Sequence, residues 1–321
     1  MKRFLLACLL ACQFNYVSAG QDSSDEAWLV LQKAAQAARE LSYKGVFVYQ
    51  AGANARSVQI THMNYGQGEY ARIVVLDGLP REVLSQGNDV VIFSPRNEKV
   101  VIEKRRGQNL FPALLPSNMD VIKPSYVGRV VGQERVGGRD GVVVYLDPRD
   151  RYRYGYKFWA DKEYGLLLKS MTTNERNEVM EQIAFNQLTL METQSMDWFQ
   201  PNVDPRKPYV MEDLPPPAKT VEADDWTISQ LPPGYRKVDH VKRVVPGKPA
   251  PVTHLIFSDG LASVSLFIEP IVKGSRPKAG HTAVGATHLY ATVIDGHQVV
   301  AVGEVPAATV SQIASAVSFK K

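Results

Sequence analysis

The chain reads as an α+β protein, mostly antiparallel β: one large, strongly curved sheet with helices, followed by a smaller α+β domain. Three observations predict this. Apolar residues repeat at helical spacing near the N-terminus, period-two runs rich in β-branched and aromatic residues follow at short intervals, and a proline-rich stretch near residue 200 interrupts them before they resume.

The helix comes first. Ser23 and Glu26 have the spacing of a capping box, Trp28, Leu31, Ala35, Ala38 and Leu41 repeat along one face, and Gly45 follows its end. Strands are then expected over Gly45 to Ala51, Arg56 to Tyr65, Glu69 to Leu76, Arg81 to Gln86, Val90 to Phe93 and Lys99 to Glu103, with turns such as Gly66-Gln67-Gly68 and Gly87-Asn88-Asp89 between them. A second series covers Val127 to Val136, Gly141 to Asp147, Tyr152 to Ala160, Gly165 to Thr172 and Glu178 to Leu190. Short strands at this spacing suit one antiparallel sheet that curls around the helix.

Between Thr193 and Ala223 the periodicity is lost and Pro201, Pro205, Pro208, Pro215, Pro216 and Pro217 accumulate, which predicts an extended connector without sheet or helix. The expected domains are therefore 20–193 and 223–321, joined by a linker over 194–222. In the second, Ser258-Asp259-Gly260 and Asp295-Gly296 each join two strands, and Pro306 opens a last helix running to about Val317.

Residues 1–19 have the pattern of an export signal. Lys2 and Arg3 are the positive start, Phe4 to Cys12 an apolar core too short to span a bilayer, and Val17-Ser18-Ala19 a cleavage site. A rival reading takes Leu9-Leu10-Ala11-Cys12 as a lipobox with Cys12 as the lipidated end. Both cysteines, Cys8 and Cys12, precede the cut after Ala19, so the mature chain would have no thiol and no disulfide. Without Lys2 and Arg3, 35 basic residues of the original 37 face 33 acidic ones, a net charge of +2 that gives no reason to expect nucleic acid. The expected compartment is the periplasm.

Catalytic patterns are lacking. There is no Gly-x-Ser-x-Gly, His-Glu-x-x-His, Walker loop or Gly-x-Gly-x-x-Gly; Ser275 and Lys278 match Ser-x-x-Lys, but Gly274, Pro277 and Gly280 put them in a loop. The histidines, 62, 240, 254, 281, 288 and 297, show no ligand-like spacing. The reading is therefore no enzyme, no metal and no cofactor.

Two segments carry binding chemistry. In Arg151-Tyr-Arg-Tyr-Gly-Tyr-Lys-Phe-Trp159, strand alternation puts Tyr152, Tyr154, Tyr156 and Phe158 on one side and Arg151, Arg153 and Lys157 on the other. That is either a core strand with a solvated basic face or a site for an amphiphilic anion. In Glu103 to Pro116, the cations Lys104, Arg105 and Arg106 precede Leu110, Phe111, Leu114 and Leu115 among prolines. This predicts a mobile apolar loop, which either tucks under the sheet as a plug or meets a membrane, lipid or partner.

In combination, Trp28 in the first helix, Tyr43-Lys-Gly-Val-Phe-Val-Tyr49, the Tyr152 to Trp159 segment, the proline linker, Leu231-Pro-Pro-Gly-Tyr235, Phe257-Ser-Asp-Gly-Leu261 and Val264-Ser-Leu-Phe-Ile-Glu269 resemble the RseB/MucB family of periplasmic sigma-factor regulators, over essentially the whole mature chain and nearest its mucoid-regulating branch. The resemblance implies a LolA/LolB-like unclosed β-barrel with helices plus a small C-terminal domain. It further implies binding to the periplasmic part of a transmembrane anti-sigma factor (MucA/RseA-like), shielding of it from site-1 protease, release by lipid or lipopolysaccharide, and alginate control downstream. The alternative is a lipid or lipoprotein carrier, which needs only the barrel; a hydrolase ranks third. Homo-oligomerisation stays open.

Overall fold

The computed structural model describes residues 19–319 except 67, 88, 97–98, 107–109, 193–194, 203, 205, 213–225, 244–249, 273 and 275. Residues 1–18 of the expected export signal, both cysteines, and Pro205 and Pro215 to Pro217 lie outside the described residues. Among the described residues no helix is long and apolar enough to cross a membrane.

Helix α1 spans Ala19–Glu40. It starts before Ser23, so Ser23 and Glu26 lie inside the helix and not at its start; Gly20 costs a helix only about 1 kcal/mol and does not enforce a later start. Ala27, Leu31, Ala34, Ala35 and Ala38 are fully buried, whereas Leu29 on the opposite face is 70% exposed. Small side chains let the helix lie close to the sheet.

The strands that follow are β1 Tyr43–Ala51, β2 Asn54–Tyr65, β3 Gly68–Val75, β4 Arg81–Gln86, β5 Asp89–Arg96, β6 Lys99–Arg106, β7 Tyr126–Val136, β8 Arg139–Pro148, β9 Gly155–Asp161, β10 Leu167–Thr173 and β11 Val179–Leu190. Each expected strand is present, Arg81–Gln86 with the expected bounds and the others with one or both ends shifted. Together with β12 (Tyr209–Glu212) they form one sheet in the order β12-β6-β5-β4-β3-β2-β1-β11-β10-β9-β8-β7. The end strands β12 and β7 do not pair, so the sheet is unclosed.

Its curvature follows from packing. Ile73 on β3 and Tyr126 on β7 belong to one buried cluster with Phe47, Leu146, Phe158, Phe185 and the apolar stripe of α1. Seven strand spacings separate β3 from β7, about 34 Å across a flat sheet at about 4.8 Å each. Sharing one core requires the sheet to roll around the helix.

The connector departs from expectation. Residues 196–202 run back over β3 and β4: Phe199 packs edge-on against Tyr70 at 5.2 Å, and Asn202 donates its backbone N–H to Glu82 (2.7 Å), the ion-pair partner of Arg72. Tyr209–Glu212 then pairs in parallel with β6, and Val100 N–H donates to the Pro208 carbonyl at 3.0 Å. Proline density hid this strand. Pro208 lies just outside the paired segment, where its missing N–H costs nothing and its carbonyl still accepts.

The C-terminal unit is a six-stranded antiparallel sheet in the order β14-β15-β16-β19-β18-β17, with ranges Arg236–Arg243, Val252–Ser258, Ser263–Pro270, His297–Gly303, Thr287–Ile294 and Gly280–Val284. A short pair, β13 Trp226–Ile228 with β20 Val317–Phe319, lies beside it. The hairpin at Asp295-Gly296 needs φ values of +44° and +74°, which this dipeptide tolerates. Helix α2, Ala307–Ser315 behind Pro306, buries Val310, Ile313 and Ala314 against Leu255, Leu266, Val299 and Ala301.

Candidate functional site

The first candidate region is the inner face of the large sheet. Phe158 is 1% exposed in its core; Tyr156 stacks on it at 5.8 Å and meets Tyr126 edge-on at 6.1 Å. Phe111 and Leu115 are core residues too, with Leu110, Ala113 and Leu114 packed against the same cluster. Phe111 contacts Phe47 and Phe185, both at 5.1 Å. The segment is thus the plug of the two alternatives, and the expectation of a freely mobile loop gives way: its apolar groups are the interior's own filling, held further by Arg39, whose guanidinium donates to the Leu115 carbonyl at 2.9 Å. An open cleft remains beside it, lined by Arg39, Tyr43, Ile60, His62, Ile73 and Phe111 among others. Tyr43 stacks on buried His62 at 4.6 Å, so the cleft's cationic and aromatic groups are already fixed.

Lys104, Arg105 and Arg106 are not part of that loop. They end β6, opposite Val91, Val90 and Asp89.

The segment Arg151 to Trp159 also differs. Strand β9 begins only at Gly155, so the alternation holds from Tyr156 to Trp159 and fails for Arg151 to Tyr154. Lys157 and Trp159 do share the outer face, where Lys157 and Lys169 ammonium groups lie 5.0 and 4.4 Å from the indole centre and Trp159 donates to Glu134 at 2.7 Å. Arg151 is exposed and lies over the Tyr152 ring at 5.5 Å.

Arg153 has a different place altogether. Its side chain is 0% exposed, and so is that of Asp259 from the C-terminal unit, to which Arg153 Nε donates at 2.9 Å. The other guanidinium nitrogens donate to Asp150 and to the Pro233 carbonyl, while the Tyr235 ring lies 5.1 Å and the Tyr126 ring 6.0 Å away. Asp259 is satisfied as well. Its Oδ1 accepts from Leu261 N–H (3.0 Å) and Ala262 N–H (2.9 Å), and its Oδ2 also from the Tyr126 hydroxyl (3.4 Å). Burial first, and the Asp259 charge second, push the Tyr126 and Tyr235 hydroxyls above the ordinary tyrosine pKa. They stay neutral donors at any physiological pH.

Around this ion pair the two units interlock. The Tyr152 carbonyl accepts from Thr309 Oγ1 at 2.8 Å and from the Tyr235 hydroxyl at 3.4 Å. Gly234 and Gly260 have φ of +78° and +104°, and a Cβ on either would stand 2.5 Å from Ser125 Oγ or 2.7 Å from Val121 Cγ1. Glycine is needed at both for chain conformation and for clearance. Leu231 to Tyr235, Phe257 to Leu261 and the segment before Trp159 therefore converge on one place. Sequence gave no sign that Arg153 was their meeting point.

An open sheet wrapped on an apolar interior, clamped to a second unit through a buried cation, makes this a two-unit binding protein: the site among the described residues is one where surfaces are joined. The chain belongs to the MucB/RseB family. The family's N-terminal domain model matches residues 25–203 and its C-terminal domain model residues 220–318. The sigma factor AlgU regulatory protein MucB of Pseudomonas aeruginosa is 32% identical over 302 residues, covering 91% of this chain and 90% of MucB. The sigma-E factor regulatory protein RseB of Escherichia coli is 25% identical over 99% of both chains. Among solved structures, the Pseudomonas aeruginosa MucA/MucB complex superposes with a TM-score of 0.74 at 28% identity, covering 94% of this chain and 99% of the matched one. MucB in complex with MucA(peri) gives 0.72, also at 28% identity, covering 92% and 99%.

Proposed function

We propose that this chain is a periplasmic negative regulator of a sigma-E-type (AlgU-like) envelope-stress response. It binds the periplasmic part of a transmembrane anti-sigma factor and shields it from site-1 protease. Lipid or lipopolysaccharide entering the first unit releases that grip. Alginate production is the output this reading assigns downstream. The observation that carries it is that both family domains are present in one chain, and relatives aligned over about nine-tenths of it are named as sigma-factor regulators or solved with MucA.

Purified mature protein is expected to slow cleavage of an anti-sigma periplasmic segment by its protease, and to lose this ability when the C-terminal unit is missing but supplied separately, since tethering raises effective concentration. Full protection by the first unit alone would remove the two-unit clamp from this reading.

For the lipid, acyl chains are assigned to the apolar inner face beside Phe111, and the head group to Arg151 and the Lys104 to Arg106 strand end. Arg153 is left out because its charge is already buried against Asp259. Lipid and anti-sigma segment are expected to lower each other's affinity by the same factor, as linkage requires. Titrating anionic lipid into the preformed complex and following cleavage checks this; a complex that persists with lipid bound removes the release step. Reversing Arg151 and Lys104 to glutamate is expected to weaken anionic lipid more than neutral detergent.

A further inference from the structure

Strands β17 and β18 form the edge hairpin of the second sheet, and the hairpin tip touches the first unit where the Tyr154 hydroxyl donates to the Ala286 carbonyl at 3.4 Å. In its register Ala283 faces His288 and His281 faces Tyr290, which makes His281 and His288 diagonal neighbours on one face. Their ring centres are 4.9 Å apart, and His281 Nε2 lies 2.8 Å from His288 Nδ1. Only one proton fits between those nitrogens. Burial, and then the charge of His281, lower the pKa of His288, while Glu175 on the turn after β10 acts in the opposite direction. The pair is therefore held with at least one lone pair directed inward.

We propose that His281 and His288 bind one borderline divalent transition-metal ion of the zinc type, with the Glu175 carboxylate of the first unit and water completing its coordination. Imidazole suits such ions, and Glu175, on the turn after β10, is the first-unit carboxylate whose charge acts on His288. Two nitrogens bound at about 2.0–2.1 Å in a tetrahedral site stand about 3.3 Å apart, so the hairpin opens by only about half an ångström. No group of three ligands is preassembled among the described residues, so the ion itself draws the third ligand in and ties the hairpin to the first unit. His62 and His297 stack singly on Tyr43 and Phe319 and offer no comparable pair.

The test is zinc titration of the full mature protein at neutral pH against a chromophoric chelator, with cobalt substituted for zinc to read nitrogen ligation from its visible spectrum. One ion per chain is expected. His281→Gln and His288→Gln should each weaken it about tenfold or more, Glu175→Gln less, and His297→Gln not at all. Lowering the pH should release the ion, because protons compete with the metal for the same ring nitrogens. Thermal melts without metal check that each variant is folded. No saturable binding at about 100 µM zinc, or equal binding in the parent and both histidine variants, overturns the site. An unchanged affinity in Glu175→Gln overturns the cross-unit ligand.

Discussion

Replacing Asp259 by alanine is expected to destabilise the protein by about 3–5 kcal/mol, the usual cost of stranding one member of a buried ion pair. Arg153 would keep Asp150 and the Pro233 carbonyl, which favours the lower end, but Leu261 N–H and Ala262 N–H would lose their acceptor as well. Urea unfolding reads this directly. Because the pair joins the two units, the same variant should loosen the C-terminal unit and weaken protection of the anti-sigma segment. A control separates charge from contact: Arg153→Met with Asp259→Asn removes both charges while keeping the Oδ1 acceptor. It is expected to recover part of the loss, since no charge is left at the fully buried position, while Asp150, which also loses Arg153, is partly exposed to water. A change below about 1 kcal/mol in Asp259→Ala would mean that the interface admits water, and the clamp would lose its physical basis.

Phe111→Ala is expected to cost about 3–5 kcal/mol by emptying a site between Phe47 and Phe185. Leu115→Ala, at 0% exposure, should cost about 2–5 kcal/mol. Leu110 and Leu114, packed only partly against the core, should cost less. In an exposed loop, serine at all four positions would alter ligand coupling and spare the fold; with Phe111 and Leu115 buried it would not. Only Leu110→Ser and Leu114→Ser serve that purpose. Denaturant midpoints for the four single variants decide it: equal, small losses would restore the mobile loop, whereas a steep order from Phe111 and Leu115 down to Leu110 and Leu114 fixes the plug.

Particular residues show where reading the sequence stopped. Tyr156 and Phe158 lie together on the inner face, as alternation predicts, because both are within β9. Tyr152 and Tyr154 are not, because the strand starts at Gly155 and nothing local marks that start. The histidines gave no metal spacing, since His281 and His288 meet only across a hairpin register. The Tyr209–Glu212 strand was masked by nearby prolines, since its pairing partner β6 precedes it by about a hundred residues and a parallel pairing leaves no turn signal.

By itself the sequence determined the α+β class, the helix face, the succession of strands, the Asp-Gly hairpins and the family. The class and its elements depend on side-chain period, turn chemistry and short-range hydrogen bonds, all written in neighbouring residues, whereas the family was legible only as a resemblance of several motifs in combination. Only the tertiary structure decided that Arg153 is a buried clamp and not a rim cation, that Phe111 fills the core, and that the connector adds a strand. Arg153 takes its partners from Pro233 and Asp259, 80 and 106 residues away. An isolated arginine in sequence reads as solvated; whether it is buried depends on the carboxylate and carbonyl that folding brings to it.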